Sequence, residues 1–191
     1  MSRIPLVMLD AGHGPKSPGA AGNGIDEQAL NWVLIQKIAA FCTWDSWATM
    51  LTRQDYFNTP SLTERVNYAN AMDADLFVSI HVNAGDPSQR GAEVYHYGPS
   101  SKGSELATIM SENIHDEIGG RVRIVGSPSQ NYPRTLFVLK KTRPWALLIE
   151  ACYLSNPTDA AKLKTRTFPD AFCLGVAQGI HSCFHHLGKV V

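Results

Sequence analysis

Short apolar runs of strand length alternate along this chain with stretches whose apolar residues recur at helical spacing, and that alternation restricts the fold more than any other feature. The runs "IPLVMLDAG", "WATMLTR", "DLFVSIHVNA", "GAEVYHYG", "TLFVLK" and "WALLIEACY" read as strands. Between the first two, Leu30, Leu34, Ile38 and Phe41 form a helical stripe behind Asp26, a good N-cap. In "SLTERVNYANAMDA" Ser61 precedes Glu64 by three residues, a capping-box pattern that opens a second helix. "SKGSELATIMSENIHDEI" reads as a third helix, and "FPDAFCLGVAQGIHSCFHHLG" as a closing one that ends at Gly188. The pattern predicts an α/β fold: a mixed, largely parallel central sheet flanked by helices, in one domain over 1–191.

Composition narrows the partners. The 191 residues are 44% hydrophobic and 18% charged, enough apolar material for a buried core without staples. Seventeen basic and seventeen acidic side chains cancel, which argues against nucleic acid or an anionic membrane as partner. No apolar run approaches the roughly 18 residues of a membrane span. The opening "MSRIPLVMLD" carries one Arg and too short an apolar run for a secretory signal, so synthesis in the cytoplasm is expected. Cys42, Cys152, Cys173 and Cys183 form no C-x-x-C pair and sit among apolar neighbours, the pattern of reduced, buried thiols.

In a sheet of this kind ligands collect beyond the carboxyl ends of the strands. His13 follows one strand, His81 ends another and Glu150 ends a third, so three polar side chains converge on one edge. His13, His81 and Glu27 together make the two-imidazole, one-carboxylate set of a catalytic zinc site with an open position. Gly12 and Gly14 flank His13 and let the backbone bend. The spacing is long-range, so a hydrogen-bonded strand-end His and a Glu placed by the helix dipole remain open alternatives. Glu150 follows five apolar residues, where low dielectric raises a carboxyl pKa and suits it to general base and acid work. The alternative is a Glu paired with Arg53 or Arg65.

Other constellations are weaker. His181 and His185 are i, i+4 on the last helix but sit near a helix end, where His is favoured anyway. Cys152 lies two residues after Glu150, so a continuing strand puts both on one face, and a thiolate nucleophile served by His13 or His81 is a second mechanism. Trp32, Trp44, Trp47 and Trp145 read as core or core-edge rings, and Arg53, Arg65 and Asn70 as structural.

Taken in order, "LDAGHG", a Glu opening the next helix, "LTR" then "ERVNYANAMDADLFVSIHVNA", "GAEVY" and "LLIEACYLSNPTDAAKL" resemble the blocks of zinc-dependent N-acetylmuramoyl-L-alanine amidases of the Amidase_3 type, over about residues 4–183. The resemblance implies hydrolysis of the amide between N-acetylmuramic acid and the L-alanine of the stem peptide in peptidoglycan. It implies Zn²⁺ held by His13, Glu27 and His81, with Glu150 as the catalytic glutamate. Zinc peptidase or deacetylase activity on another wall amide, or a catalytically silent wall-binding relative, are the alternatives. Cys152 and Tyr153 stand where relatives commonly have Gly and Phe, placing a thiol near the expected site. Activator-switched relatives carry an extra blocking helix, and no spare helix is evident between His81 and Glu150, so no activator protein is expected. With no leader and no wall-binding module expected, the chain resembles a phage endolysin that reaches the cell wall after release; an exported autolysin is the rival origin.

Overall fold

The computed structural model describes residues 3–43, 46–130 and 135–190. Its elements are β1 (Leu6–Ala11), β2 (Ala21–Gly22), β3 (Ile25–Asp26), α1 (Glu27–Phe41), β4 (Ala48–Leu51), α2 (Leu62–Ala71) and β5 (Leu76–Asn83), then β6 (Ala92–Tyr97), α3 (Ser101–Ile118), β7 (Val122–Ser127), α4 (Phe137–Lys141), β8 (Trp145–Tyr153), α5 (Pro157–Leu163) and α6 (Thr167–His186). Six strands form one sheet in the order β4-β1-β5-β8-β6-β7. The first four run parallel, β6 is antiparallel to β8, and β7 is parallel to β6. This is the mixed, largely parallel sheet that the strand–helix alternation predicts.

Strand alternation divides the sheet into two unequal faces. Val7, Leu9, Val78, Ile80, Leu147 and Ile149 point into the larger core, where Leu34, Ile38, Met110, Phe172 and Phe184 fill the space beneath the helices. Met8, Phe77, Tyr95, Ala146 and Leu148 point the other way into a smaller core, closed by Val66 and Ala69 of α2 and by Val138 and Leu139 of α4. Two short helices leave part of this second face open. That opening is where the polar strand ends gather.

The caps are those the sequence signals. The Asp26 carboxylate accepts from the Ala29 amide, and Ser61 and Glu64 close a reciprocal capping box. One strand assignment is overturned: "TLFVLK" forms not a strand but the five-residue α4. A short apolar run has no periodicity that separates strand from helix, and here Val138 and Leu139 are buried together against α2. The sheet edge goes instead to β7, "VRIVGS". Of the tryptophans, Trp47 is buried and Trp32 packs at the core edge, but Trp145 is exposed at the start of β8. Trp44 lies outside the described residues. No helix among the described residues is long and apolar enough to cross a membrane.

Candidate metal centre and active site

β1, β5 and β8 run side by side and parallel, so their carboxyl ends bring His13, His81 and Glu150 to one edge. Glu27, the first residue of α1, reaches over from the opposite layer. Its Oε1 lies 3.2 Å from His13 Nε2 and 3.1 Å from His81 Nδ1. One ligand atom from each of the three falls within 4.8 Å of the others, the only such group of three His, Cys, Asp or Glu among the described residues. The imidazoles keep 28% and 18% of their side-chain surface open to solvent, whereas Glu27 is buried.

The backbone is shaped around this cluster. His13 has a φ of 65°, the left-handed region that non-glycine residues rarely enter. Its Nδ1 lies 3.1 Å from the Ser17 carbonyl, which can only accept, so Nδ1 carries the hydrogen and Nε2 faces Glu27. A Cβ on Gly12 would lie 2.3 Å from the His81 ring, and one on Gly19, at a φ of 74°, 2.4 Å from Glu27 Oε2. Both positions therefore need glycine for close approach.

What holds His13 in its costly conformation is a buried ion pair that the sequence does not advertise. Arg65 Nη1 donates to Asp10 at 2.5 Å and to the Ala11 carbonyl at 2.7 Å, and Nη2 donates to the His13 carbonyl at 2.6 Å. Ser79 and Thr52 hydroxyls donate to the same Asp10 carboxylate at 2.6 and 2.5 Å. Burial pushes the Asp10 pKa up, but the Arg65 charge and these donors outweigh it, so Asp10 stays ionised. Asn31 on α1 donates to the Gly12 carbonyl at 3.2 Å from the other side. Arg65 is structural, as its type and place in the sequence lead one to expect, and the structure it holds is the loop that carries His13.

Electrostatics separate the two glutamates. Burial raises the Glu27 carboxyl, yet hydrogen bonds from His13, His81 and the Ala20 amide more than offset it and hold Glu27 well below the usual carboxylate range. The same hydrogen bond to Glu27 raises His13 above the ordinary imidazole value. Glu150 goes the other way: burial, reinforced by the Glu27 charge, pushes it well above the usual value. It stands in register with His81 on the neighbouring strand. Its Oε2 is buried without a hydrogen-bond partner among the described residues. Neither arginine proposed as an alternative partner meets it. Arg53 donates to the carbonyls of Tyr56, Asn58 and Gln28, and Arg65 goes to Asp10.

Cys152 does not share the face of Glu150. Between the pairs His81↔Glu150 and Asn83↔Tyr153 the register slips by one residue, a bulge that turns Cys152 into the larger core. Burial pushes its thiol up, which removes the thiolate a nucleophile needs. The helical pair does not gather either: His185 is exposed, while the His181 ring lies 5.6 Å from Trp47.

Two clefts flank the cluster on the open face. One, of about 420 Å³, is lined by His13, His81, Arg65 and apolar side chains including Leu62, Phe137, Val138 and Leu148. The other, of about 650 Å³, is polar and contains Glu150.

The chain is similar to known proteins over most of its length. Residues 7–182 match the Amidase_3 family model, described as N-acetylmuramoyl-L-alanine amidase. The endolysin of Bacillus phage SPP1 is 38% identical over 92% of this chain and 64% of its own length. The amidase LytC of Bacillus subtilis strain 168 is 32% identical over 92% of this chain but 34% of its own length. The chain thus spans less than two thirds of either relative. The solved catalytic domain of CwlV, an N-acetylmuramoyl-L-alanine amidase from Bacillus (Paenibacillus) polymyxa var. colistinus, superposes with a TM-score of 0.82 at 28% identity, covering 97% of this chain and 99% of that one.

Proposed function

The chain belongs to the Amidase_3 family of N-acetylmuramoyl-L-alanine amidases, and from that premise we propose that it hydrolyses the amide between N-acetylmuramic acid and L-alanine in peptidoglycan, with zinc held by His13, Glu27 and His81. The observation that carries this reading is the convergence of two imidazole nitrogens and a carboxylate oxygen within 4.8 Å, beside a Glu150 carboxyl whose Oε2 is buried and unpartnered among the described residues. The donor set fits Zn²⁺: nitrogen and oxygen ligands, three in number, with both rings partly open to solvent on the side where a fourth ligand enters. Bound there, the ion would polarise the scissile carbonyl and lower the pKa of a water.

The chain's own residues do the rest. Arg65 and Asn31 fix the loop that presents His13 Nε2, and the Ser17 carbonyl sets that ring's tautomer. In the metal-free protein, hydrogen bonds from His13, His81 and the Ala20 amide hold Glu27 as an anion, the form a metal ligand needs. Glu150 takes a proton from water on its carboxylate and hands it to the departing alanine nitrogen, which must be protonated to leave. Burial, which raises its pKa in the metal-free protein together with the Glu27 charge, suits it to both halves of that transfer.

The test is a soluble muropeptide with mass spectrometry of the products. Free N-acetylmuramic acid with a new L-alanine amino terminus supports the amidase. Cleavage within the peptide or at an acetyl group supports a zinc peptidase or deacetylase, and zinc binding without cleavage supports a silent wall-binding relative. Glu150→Gln should retain zinc and lose at least a hundredfold in kcat, the order of one general acid–base catalyst. His81→Ala should lose the metal. Full activity from Glu150→Gln sinks the assigned role. We further propose that no activator is needed: among the described residues the helix that follows α3 before β8, α4, lines the cavity wall and leaves both imidazoles solvent-accessible. Purified protein should then degrade murein sacculi unaided; dependence on a second protein overturns this.

A further inference from the structure

Pairing register lays a row of polar side chains across four strands of the open face: His81 on β5 opposite Glu150 on β8, Glu150 opposite Glu93 on β6, and Glu93 opposite Arg123 on β7. Directly paired residues share a face, so all four belong to one surface. The row continues past the residues that the hydrolysis uses, and it runs into the polar cleft of about 650 Å³ lined by Asn83, Gln89, Glu93, Arg123, Glu150 and Tyr153. His13 and His81 line the other cleft and not this one.

That division orients the substrate. The group that hands a proton to the leaving nitrogen stands on the leaving group's side of the scissile bond, and the leaving group here is the peptide. We infer that the polar cleft is the stem-peptide subsite and that Arg123 in it reads the free α-carboxylate of the second stem residue. The inference rests on the amidase reading above. Its geometry is set by strand spacing: two steps of about 4.8 Å put Arg123 roughly 10 Å along the row from Glu150. In an extended γ-linked acidic residue that follows L-alanine, the α-carboxylate lies about 6–7 Å from the alanine nitrogen. A guanidinium at that spacing, leaning along the row, meets it.

The chemistry of Arg123 agrees. It is 36% exposed, whereas Glu93 beside it is 2% exposed. Glu93 is anchored by Asn83 at 2.9 Å and by the hydroxyls of Tyr95 and Tyr153 at 2.6 and 3.0 Å. The guanidinium pairs with Glu93 and donates through Nη2 to the Tyr153 hydroxyl at 3.0 Å, which fixes its plane. Its Nε is buried without a hydrogen-bond partner among the described residues, so Nε is not offered to a ligand. The donors of its two terminal nitrogens outnumber what Glu93 and Tyr153 take, which leaves some for a second carboxylate.

The experiment compares two disaccharide–dipeptides that differ in one group, the second residue being γ-linked D-glutamate with its α-carboxylate free or converted to the carboxamide. Zinc-loaded wild-type protein should favour the carboxylate substrate about tenfold or more in kcat/KM, the weight of a hydrogen bond to a charged group, with the difference in KM. Arg123→Gln should erase the preference by weakening the carboxylate substrate and sparing the carboxamide one. Because that variant strands the buried Glu93 charge, Arg123→Gln/Glu93→Gln is measured with it and should fold and show the same loss. Calorimetric titration with the released dipeptide, L-alanyl-γ-D-glutamate, should show tighter binding than its carboxamide, again lost without Arg123. Equal treatment of both dipeptides by wild-type protein, or an equal effect of Arg123→Gln on both, overturns the subsite. A wild-type protein that hydrolyses neither substrate yet keeps the dipeptide preference overturns the amidase reading and leaves the subsite standing.

Discussion

Replacing Arg65 with methionine removes the clamp on the His13 loop without touching a proposed ligand. The Asp10 and Arg65 side chains are 2% and 3% exposed, so Arg65→Met leaves a buried carboxylate with only the Ser79 and Thr52 hydroxyls. Removing one partner of a buried ion pair costs about 3–5 kcal/mol. For a chain of this size each kcal/mol moves Tm by about 2–4 °C, which predicts a fall of roughly 6–20 °C. Separately, the bonds from Arg65 to the Ala11 and His13 carbonyls disappear, and His13 is free to leave its left-handed conformation. Loss of a group that orients a ligand costs about 10–100-fold in metal affinity. The two effects separate in Asp10→Asn/Arg65→Met, where no buried charge remains. Thermal unfolding in chelator should recover most of the lost Tm in the double variant, while zinc affinity by competition titration should stay low. Recovery of zinc affinity together with Tm, or a single variant within about 2 °C of wild type, refutes the reasoning.

Gly12→Ala places a Cβ 2.3 Å from the His81 ring, and should weaken zinc binding more than it lowers Tm, read by the same two assays. In the metal-free protein the Glu27–His13 pair carries a pH signature. Glu27 is held below its ordinary 4.5, so its contribution is present above about 4.5 and is lost as pH falls. His13 is raised above 6.5, so its contribution is complete below about 6.5 and is lost as pH rises through the folded value. Tm in chelator should therefore pass through a maximum between those limits, and Glu27→Gln should flatten it; an unchanged profile counts against the pair. Zinc binding needs neutral His13 and must release its proton, so affinity should fall as the medium is acidified below the raised His13 pKa. Burial pushes the Cys42, Cys173 and Cys183 thiols up to about 12 and Cys152 still further, so a colourimetric disulfide reagent should find no fast-reacting thiol until the protein unfolds. Rapid modification of Cys152 in the native protein contradicts its burial.

Much of the fold and the candidate site was legible in the amino-acid order because it rests on local rules. Asp26, Ser61 and Glu64 announce helix starts, since a cap satisfies amides within one turn. His13, His81 and Glu150 announce themselves because each ends a buried strand, and parallel strands end on the same side. Tertiary packing decided the remainder. Val138 and Leu139 became helical because α2 offers a surface to bury them on, not because of any period in "TLFVLK". Cys152 left the face of Glu150 through a one-residue slip against β5, which no pattern within β8 encodes. Asp10 and Arg65 stand 55 residues apart, and only the packing of α2 beside β1 makes them a pair that holds His13. The row from Glu150 to Arg123 likewise exists only through the register of β8, β6 and β7. Residue types and local periods specify what each segment can form, whereas register and layer contacts between distant segments specify which side chains meet.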